Sequence, residues 1–399
     1  MHKRKLWRSM IGGGQHSLLL PALLILCVLG LVGCGTTDTT SDNASTLTPL
    51  PTPTAGPSQP ATLKVIHMVD AKTGWALTQD GHVLHTTNGT DQWRDSSPTV
   101  REPVPVFGVA TFLDAENAWI AGRVNDKVSI WRTYTGGEVW LESPLPINGQ
   151  DVVNINFIDP QNGWLLLKAT NSTDTNNPVM VFSTLDGGQD WNQINNADQQ
   201  DKTSANMLPT SGDKTGLSFN NSNQGWITGT TPGSKAPLFY QSKDGGNTWN
   251  SQALTAPNDS TIRTFPPIFF NQKDGVMAAE LTDNSHAAII YTTHDGGTSW
   301  SNNGSTSSIT SVVSFINANQ GWATGSDNKG GTIYSTRDSG KTWDRLSQLG
   351  SNVVNITTLQ FISATNGWAI GNTKADTTQL YQTTDGGKSW SPITTTSHS

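Results

Sequence analysis

The sequence predicts an all-β protein, a seven-bladed β-propeller of four-stranded antiparallel blades. Three observations predict it: a recurring turn, a recurring tryptophan strand, and no amphipathic run long enough for a helix. The turn reads Ser/Thr-x-Asp-x-Gly-x-Ser/Thr-Trp, or a worn copy of it. Copies stand at 86–93, 133–140, 184–191, 242–249, 293–300, 336–343 and 383–390, spaced roughly 43 to 58 residues apart. A period in this range marks a propeller or solenoid, in which one small sheet is reused. Upstream of each turn a polar corner leads into Trp and a short apolar run, as in NGWLLL at 162–167 and NGWAIG at 366–371; DGVMAA at 274–279 has Val276 in the Trp place. Before the corner lies another strand-like segment, such as VVNINFID at 152–159 or TTLQFISA at 357–364. One unit therefore reads strand, corner, Trp strand, loop, strand, Asp turn, Trp strand, which is one blade. Seven units fill 61–393.

The turn has a structural rationale of its own. Asp186, Asp244, Asp295, Asp338 and Asp385 can accept backbone N–H bonds across the corner, and the following Gly adopts φ > 0 at little steric cost. The turn tryptophans, Trp93, Trp140, Trp191, Trp249, Trp300, Trp343 and Trp390, are expected to lie between neighbouring blades. Thirteen of the 15 Trp occupy the two repeating positions, all but Trp7 and Trp131, so the inter-blade core is expected to be built around indoles. The first strand begins near 62 and the last ends near 393, so each blade can be completed in chain order. Ring closure is expected to rest on side-chain contacts, with no strand borrowed from the other terminus.

The N-terminus reads as an export signal over 1–33. Lys3, Arg4, Lys5 and Arg8 precede an apolar run from Leu18 to Gly33. That run falls short of the roughly 20 residues that span a bilayer. Its end, Leu-Val-Gly-Cys, resembles the bacterial lipobox, which implies that Cys34 is lipidated. Cys27 would leave with the signal, so no disulfide is expected in the mature chain. Residues 34–60, rich in Thr, Ser and Pro, form a disordered linker reaching up to about 80 Å in polyproline II form; 394–399 read as a C-terminal tail. The expected location is the outer face of the cytoplasmic membrane, through the lipid anchor.

Charge narrows the partners. Removing 1–33, with four basic and no acidic residues, leaves 20 basic against 31 acidic, a net −11. Such a surface disfavours nucleic acid and anionic head groups.

The turns resemble the Asp-box, or bacterial neuraminidase repeat. The pairing of an F-x-x-x-x-x-G-W-A-x-G stretch with a T-x-D-G-G-K-T-W turn is similar to photosystem II assembly and stability factor-like propellers, over about 61–393. That resemblance implies the propeller fold, while Asp-box propellers include sialidases, other glycosidases, sorting receptors and non-enzymatic assembly factors. A sialidase carries Phe/Tyr-Arg-Ile-Pro before its first Asp-box; here no Arg-Ile-Pro occurs, and Arg263-Thr264-Phe265-Pro266 sits between the fourth and fifth turns. Another glycosidase needs two carboxylates about 5 to 9.5 Å apart across a groove. Glu102, Glu116, Glu138, Glu142 and Glu280 are the only glutamates, and Asp70, Asp114 and Asp159 recur as corner residues. His82 and His85 are three apart, which in a strand points them to opposite faces, so no metal or cofactor is expected.

What remains is a recognition surface. The connection 192–215 is long and strongly polar, either a binding loop or merely a mobile one, and 250–264 is the next longest. The leading expectation is a non-catalytic, membrane-anchored extracytoplasmic propeller acting as a protein-binding scaffold, its partner a protein or else a glycan. The alternative is a secreted carbohydrate-active hydrolase.

Overall fold

Short strand-forming stretches separated by polar turn residues recur in each repeat, and each repeat folds into a small antiparallel meander. The computed structural model describes residues 59–89, 92–99, 106–173, 176–196, 207–257, 260–283, 286–325 and 331–398. Residues 1–58, including the expected signal segment, Cys34 and nearly all of the expected linker, lie outside the described residues.

Seven sheets follow one another along the chain. Their strands, from channel to rim, are Leu63–Met68, Gly74–Thr78, Val83–Thr86 and Gln92–Asp95 in blade 1, and Val106–Phe112, Ala118–Val124, Lys127–Thr133 and Leu141–Asn148 in blade 2. Blade 3 comprises Gln150–Phe157, Gly163–Ala169, Val179–Thr184 and Asn192–Asn196; blade 4, Asp213–Phe219, Gly225–Thr230, Leu238–Ser242 and Asn250–Ser251. Blade 5 has a divided inner strand, Ile262–Thr264 and Ile268–Phe269, then Gly275–Leu281, Ala288–Thr293 and Ser301–Thr306. Blade 6 is Ile309–Phe315, Gly321–Gly325, Thr332–Thr336 and Asp344–Gln348; blade 7, Val353–Phe361, Gly367–Thr373, Thr378–Thr383 and Ser391–Ile393. No α-helix occurs among the described residues. The meander places the first corner and the Asp turn at the same end of each blade, where Gly187 N donates to Gln161 O and Gly386 N to Thr365 O, both at 2.9 Å.

Blades pack through a repeating aromatic triad. The second-strand Trp of one blade stacks on the Phe ending the next blade's inner strand: Trp119 on Phe157, Trp164 on Phe219 and Trp322 on Phe361, each at 3.8 Å between ring centres. The turn Trp of that next blade then meets the Phe edge-on, as Trp191, Trp249 and Trp390 do near 6 Å. Offset stacking plus an edge contact is the arrangement the ring quadrupole favours. A glycine opens the second strand in every blade but blade 2, which has Ala118, and in blades 3 to 7 it makes room for the Phe of its own blade: a Cβ on Gly163 would lie 2.4 Å from the Phe157 ring. Indole N–H groups lock the contact, Trp119 donating to Gly187 O, Trp164 to Gly245 O and Trp322 to Gly386 O. Blade 5 lacks its Trp, and Val276 packs there with Ala278, Ile290 and Phe315.

Closure differs from the expectation. Thr396–His398 is a strand, pairing in parallel with the outer strand Gln92–Asp95 of blade 1, and Gln59–Pro60 pairs antiparallel on its far side. The four strands of blade 1 are complete in chain order, so the terminal strand adds to the rim instead of replacing a member. Free N–H and C=O groups on the Gln92–Asp95 edge are what recruit it. Nearer the channel, Gln360 spans the seam: Met68 N donates to its Oε1 at 2.6 Å, and its Nε2 donates to Met68 O at 3.0 Å. Met68 replaces the Phe of the triad, and the seam indoles Trp368 and Trp93 have buried Nε1 atoms without an acceptor among the described residues. Deleting 394–399 is expected to lower the unfolding free energy by roughly 1–3 kcal/mol, the worth of a few backbone hydrogen bonds. Urea unfolding of the truncated chain checks this, and an unchanged midpoint would show that the rim strand contributes nothing to closure.

Candidate functional site

Four places bear on function: the corner carboxylates, a cavity between blades 1 and 2, the long connection into blade 4, and a cavity along the channel wall.

Each corner carboxylate is saturated. In blade 7, Thr383 Oγ1 donates to Asp385 Oδ1 at 2.8 Å, while Lys388 N and Ser389 N donate to the same oxygen and Ser389 Oγ donates to Oδ2. The leading hydroxyl, a backbone N–H and a Ser/Thr hydroxyl hold Asp244, Asp295 and Asp338 in the same way, while Asp186 is held by Thr184 Oγ1 and the N–H groups of Gln189 and Asp190. Bonds from Ser389 and its neighbours hold the Asp385 carboxyl down at about 2, against a small opposing effect of burial. At Asp295 burial pushes up, but the Ser299 and Thr293 bonds prevail and leave it at about 2. Such groups stay ionised and turn inward on the loop, the opposite of a proton donor poised for catalysis.

The leading hydroxyl of the turn was not singled out in the sequence. It is buried in Thr184, Ser242, Thr293, Thr336 and Thr383, and it accepts from the second glycine, as from Gly188 N at 2.8 Å. The signal for it is its Ser/Thr identity in all seven copies. The first corners use the same logic: Asp70, Asp114 and Asp159 accept from the N–H groups two and three residues on, and Asn221, Asn271, Asn317 and Ser363 do so in the remaining blades.

Between blades 1 and 2, on the Asp-turn face, a cavity of about 630 Å³ is lined by His85, Arg94, Glu116 and Glu138 among others. Arg94 Nη2 donates to Gly136 O at 3.2 Å. His85 and His82 are not brought together. His82 is exposed and bonds Asp95 Oδ2 at 2.7 Å, whereas His85 is buried with its ring 4.1 Å from that of Trp75. Among the described residues no group of three or more His, Cys, Asp or Glu could hold a metal ion.

Burial pushes the His85 imidazole down to about 4, and the charge of Arg94 adds to the fall. Between its ordinary 6.5 and about 4 the unfolded chain binds a proton that the folded ring refuses. Stability is therefore expected to fall as pH drops through that window, by on the order of 2–3 kcal/mol. Loss of the corner carboxylates' contribution follows at lower pH, below their ordinary 3.8. His85→Gln, the residue type at the matching Gln241 and Gln382, should flatten the first limb. Denaturant unfolding from pH 7 to 4 measures it, and an unchanged slope in the variant would contradict this assignment.

Of the connection 192–215, residues 192–196 are the outer strand of blade 3, 197–206 lie outside the described residues, and Asp213 opens blade 4. The segment before blade 4 is fastened by Lys214, only 3% exposed. Its Nζ donates to Asn177 O, Pro209 O, Ser211 O and Gly212 O at 2.8 to 3.1 Å. Burial lowers this ammonium to about 8, with Asp213 opposing, so it is charged at neutral pH inside a ring of carbonyl dipoles.

Along the inner strands of blades 3, 4 and 5 lies a second cavity of about 620 Å³. Asn154, Asn156 and Ser218 form part of its wall, with Pro266, Pro267 and Ile268 from the divided strand of blade 5.

Residues 133–306 and, overlapping them, 196–343 match the family described as Photosynthesis system II assembly factor YCF48, more than half of the chain together. Residues 288–399 match the family of sortilin, neurotensin receptor 3. No curated protein sequence matches significantly. Among solved structures the fold is similar to YCF48 from Cyanidioschyzon merolae, with TM-score 0.55 and 19% identity over 83% of this chain and 98% of that one. It is similar to YCF48 bound to D1 peptide, with TM-score 0.54 and 16% identity over 82% and 93%. It is also similar to a GH74 enzyme of Niastella koreensis, with TM-score 0.53 and 13% identity over 86% of this chain and 54% of that one. At these identities the structural likeness speaks to the fold alone.

Proposed function

Starting from a chain that belongs to the photosynthesis system II assembly factor YCF48 family of BNR-type propellers, we propose that it is a non-catalytic protein-binding module acting as a scaffold or assembly factor. The observation that carries this reading is the saturation of the corner carboxylates. The acids repeated around the ring are consumed by their own turns, leaving the ring a rigid frame that presents loops and a channel. A family relative bound to a peptide supports a polypeptide as the class of partner.

The reading extends to location. Cys34 would carry the lipid anchor, and the Thr/Ser/Pro-rich linker would hold the propeller off the outer face of the cytoplasmic membrane. Cys34→Ala is expected to move the chain from the membrane fraction to the soluble fraction; retention in membranes would remove the anchor from the proposal. Cross-linking of the full chain in its own membranes should yield one or a few protein partners, competed by excess unlabelled chain. Recovery without any competed protein would count against the binding role.

A second reading has one observation in its favour: Glu116 and Glu138 line the same cavity as Arg94 and His85. If this were a glycosidase site, Glu138→Gln would abolish turnover.

A further inference from the structure

Repetition makes each blade a control for the others, and the turn face of blades 2 and 3 differs from the rest. At the second turn position Thr87, Lys243, His294, Arg337 and Thr384 are polar, whereas blades 2 and 3 place Tyr134 and Leu185 there. At the seventh position the hydroxyls of Thr248, Ser299, Thr342 and Ser389 donate to the corner carboxylate. Blade 2 has Thr135 in place of that Asp, and its Oγ1 accepts from Val139 N at 2.9 Å, which closes the turn without using the side chain at 139. Val139 is 56% exposed and Leu185 73%. With Tyr134 and Leu141 they make up four of the seven exposed large hydrophobic residues among those described; the other three, Val65, Ile268 and Val354, lie on inner strands. The Tyr134 hydroxyl donates to Gly187 O at 2.9 Å, so the two turns are in contact.

The same sector carries charge of one sign. The first corners and Asp turns of blades 2 and 3, at 113–117, 133–140, 158–162 and 184–191, contain Asp114, Glu116, Glu138, Asp159, Asp186 and Asp190 and no Lys or Arg. In blades 4 to 7 the matching segments balance Lys243, Lys273, Arg337, Lys341 and Lys388 against five aspartates. Glu116, Glu138 and Asp190 are exposed. Two arginines flank the sector and are engaged by its backbone: Arg94 donates to Gly136 O, and the buried Arg132 donates to Gly188 O and Ser143 Oγ. A cluster of exposed apolar side chains inside a polar rim is the mark of an interaction surface, and the sign of the rim selects what docks there.

Resting on the protein-binding reading, we propose that the turn face of blades 2 and 3 is where the partner polypeptide docks, through a segment whose apolar side chains are flanked by Lys or Arg. The apolar side chains cover Tyr134, Val139, Leu141 and Leu185, and the cations lie in the field of the six carboxylates. Because that field is shared, loss of one carboxylate, as in Glu138→Gln, leaves binding nearly intact. A membrane is a poorer occupant, since its anionic head groups would meet the same carboxylates. A second copy of the chain meeting this one patch to patch would set acid against acid.

The test places a photoreactive benzophenone side chain at Leu185 of the full chain, or at Thr384, the same turn position in blade 7, and irradiates each in the chain's own membranes. Cross-links to one or a few proteins are expected from 185 and not from 384. Mass spectrometry of the captured segment is expected to show an aliphatic or aromatic residue within a few positions of Lys or Arg. Calorimetry then measures that segment, synthesised with acetyl and amide ends, against the full chain. Leu185→Thr combined with Val139→Ser, the residue types of the blade 7 turn, is expected to weaken binding at least about tenfold with the melting temperature kept. Glu116→Lys combined with Asp190→Lys should do the same and flatten the dependence on salt. Equal capture from 384, a captured segment without Lys or Arg, capture of lipid or of a second copy of this chain, or affinity unchanged in both double variants would each overturn the assignment. Should nothing be captured from 185 while general cross-linking still recovers a competed partner, this surface falls and the binding role stands. Absence of a competed partner by either route removes the role and this surface with it.

Discussion

Trp249→Ala is expected to lower the stability of the ring by about 3–5 kcal/mol. Trp249 is fully buried between blades 3 and 4, in a cluster with Trp164, Leu217, Phe219 and Ile227. Its ring meets Phe219 edge-on at 6.0 Å, and Nε1 donates to Gly246 O at 2.9 Å. Alanine leaves a cavity of indole size bounded by two sheets, which a rigid pair of blades cannot collapse to fill. Trp343→Ala should cost less, about 3 kcal/mol or below, because Trp343 is only partly buried and faces Val276 where other blades present a second indole. Equilibrium unfolding in urea measures both. Equal losses, or none, would contradict the triad as the main inter-blade contact.

Lys214→Met is expected to cost on the order of 3 kcal/mol. Methionine fills similar space but strands the carbonyls of Asn177, Pro209, Ser211 and Gly212, which now share one ammonium. Lost charge-assisted bonds and newly unsatisfied buried acceptors act in the same direction. The loosening should begin at 207–212, so limited proteolysis is expected to cut the 197–212 connection sooner in the variant, well before global unfolding. Wild-type stability with wild-type cleavage kinetics would show that the ammonium is incidental to holding this segment.

The turns and second-strand tryptophans were legible because each copy repeats the same residue types at the same offsets, and packing imposes the same demand at every interface. The Phe of the triad and the Gly facing it repeat as well, but their meaning needs the register that sets Phe157 over Gly163. Thr396–His398 was not legible: three residues show no alternation, and what recruits them is an open edge more than 300 positions earlier in the chain. Nor was the channel cavity. Pro266-Pro267 reads locally as a loop, and only the neighbouring inner strands show that Ile268 stands where Asn156 and Ser218 bridge to the next blade. The strand argument for His82 and His85 reached the right separation by a different route, since His82 precedes the strand Val83–Thr86 and all four of that strand's residues are buried.

The central claim is that this ring binds and does not react. Its most direct test is turnover of a panel of aryl glycosides and polysaccharides by the purified full chain beside its Glu138→Gln variant. The account predicts no turnover by either, with the cross-linked partner recovered equally by both. Turnover by the wild-type chain that disappears in Glu138→Gln would contradict it.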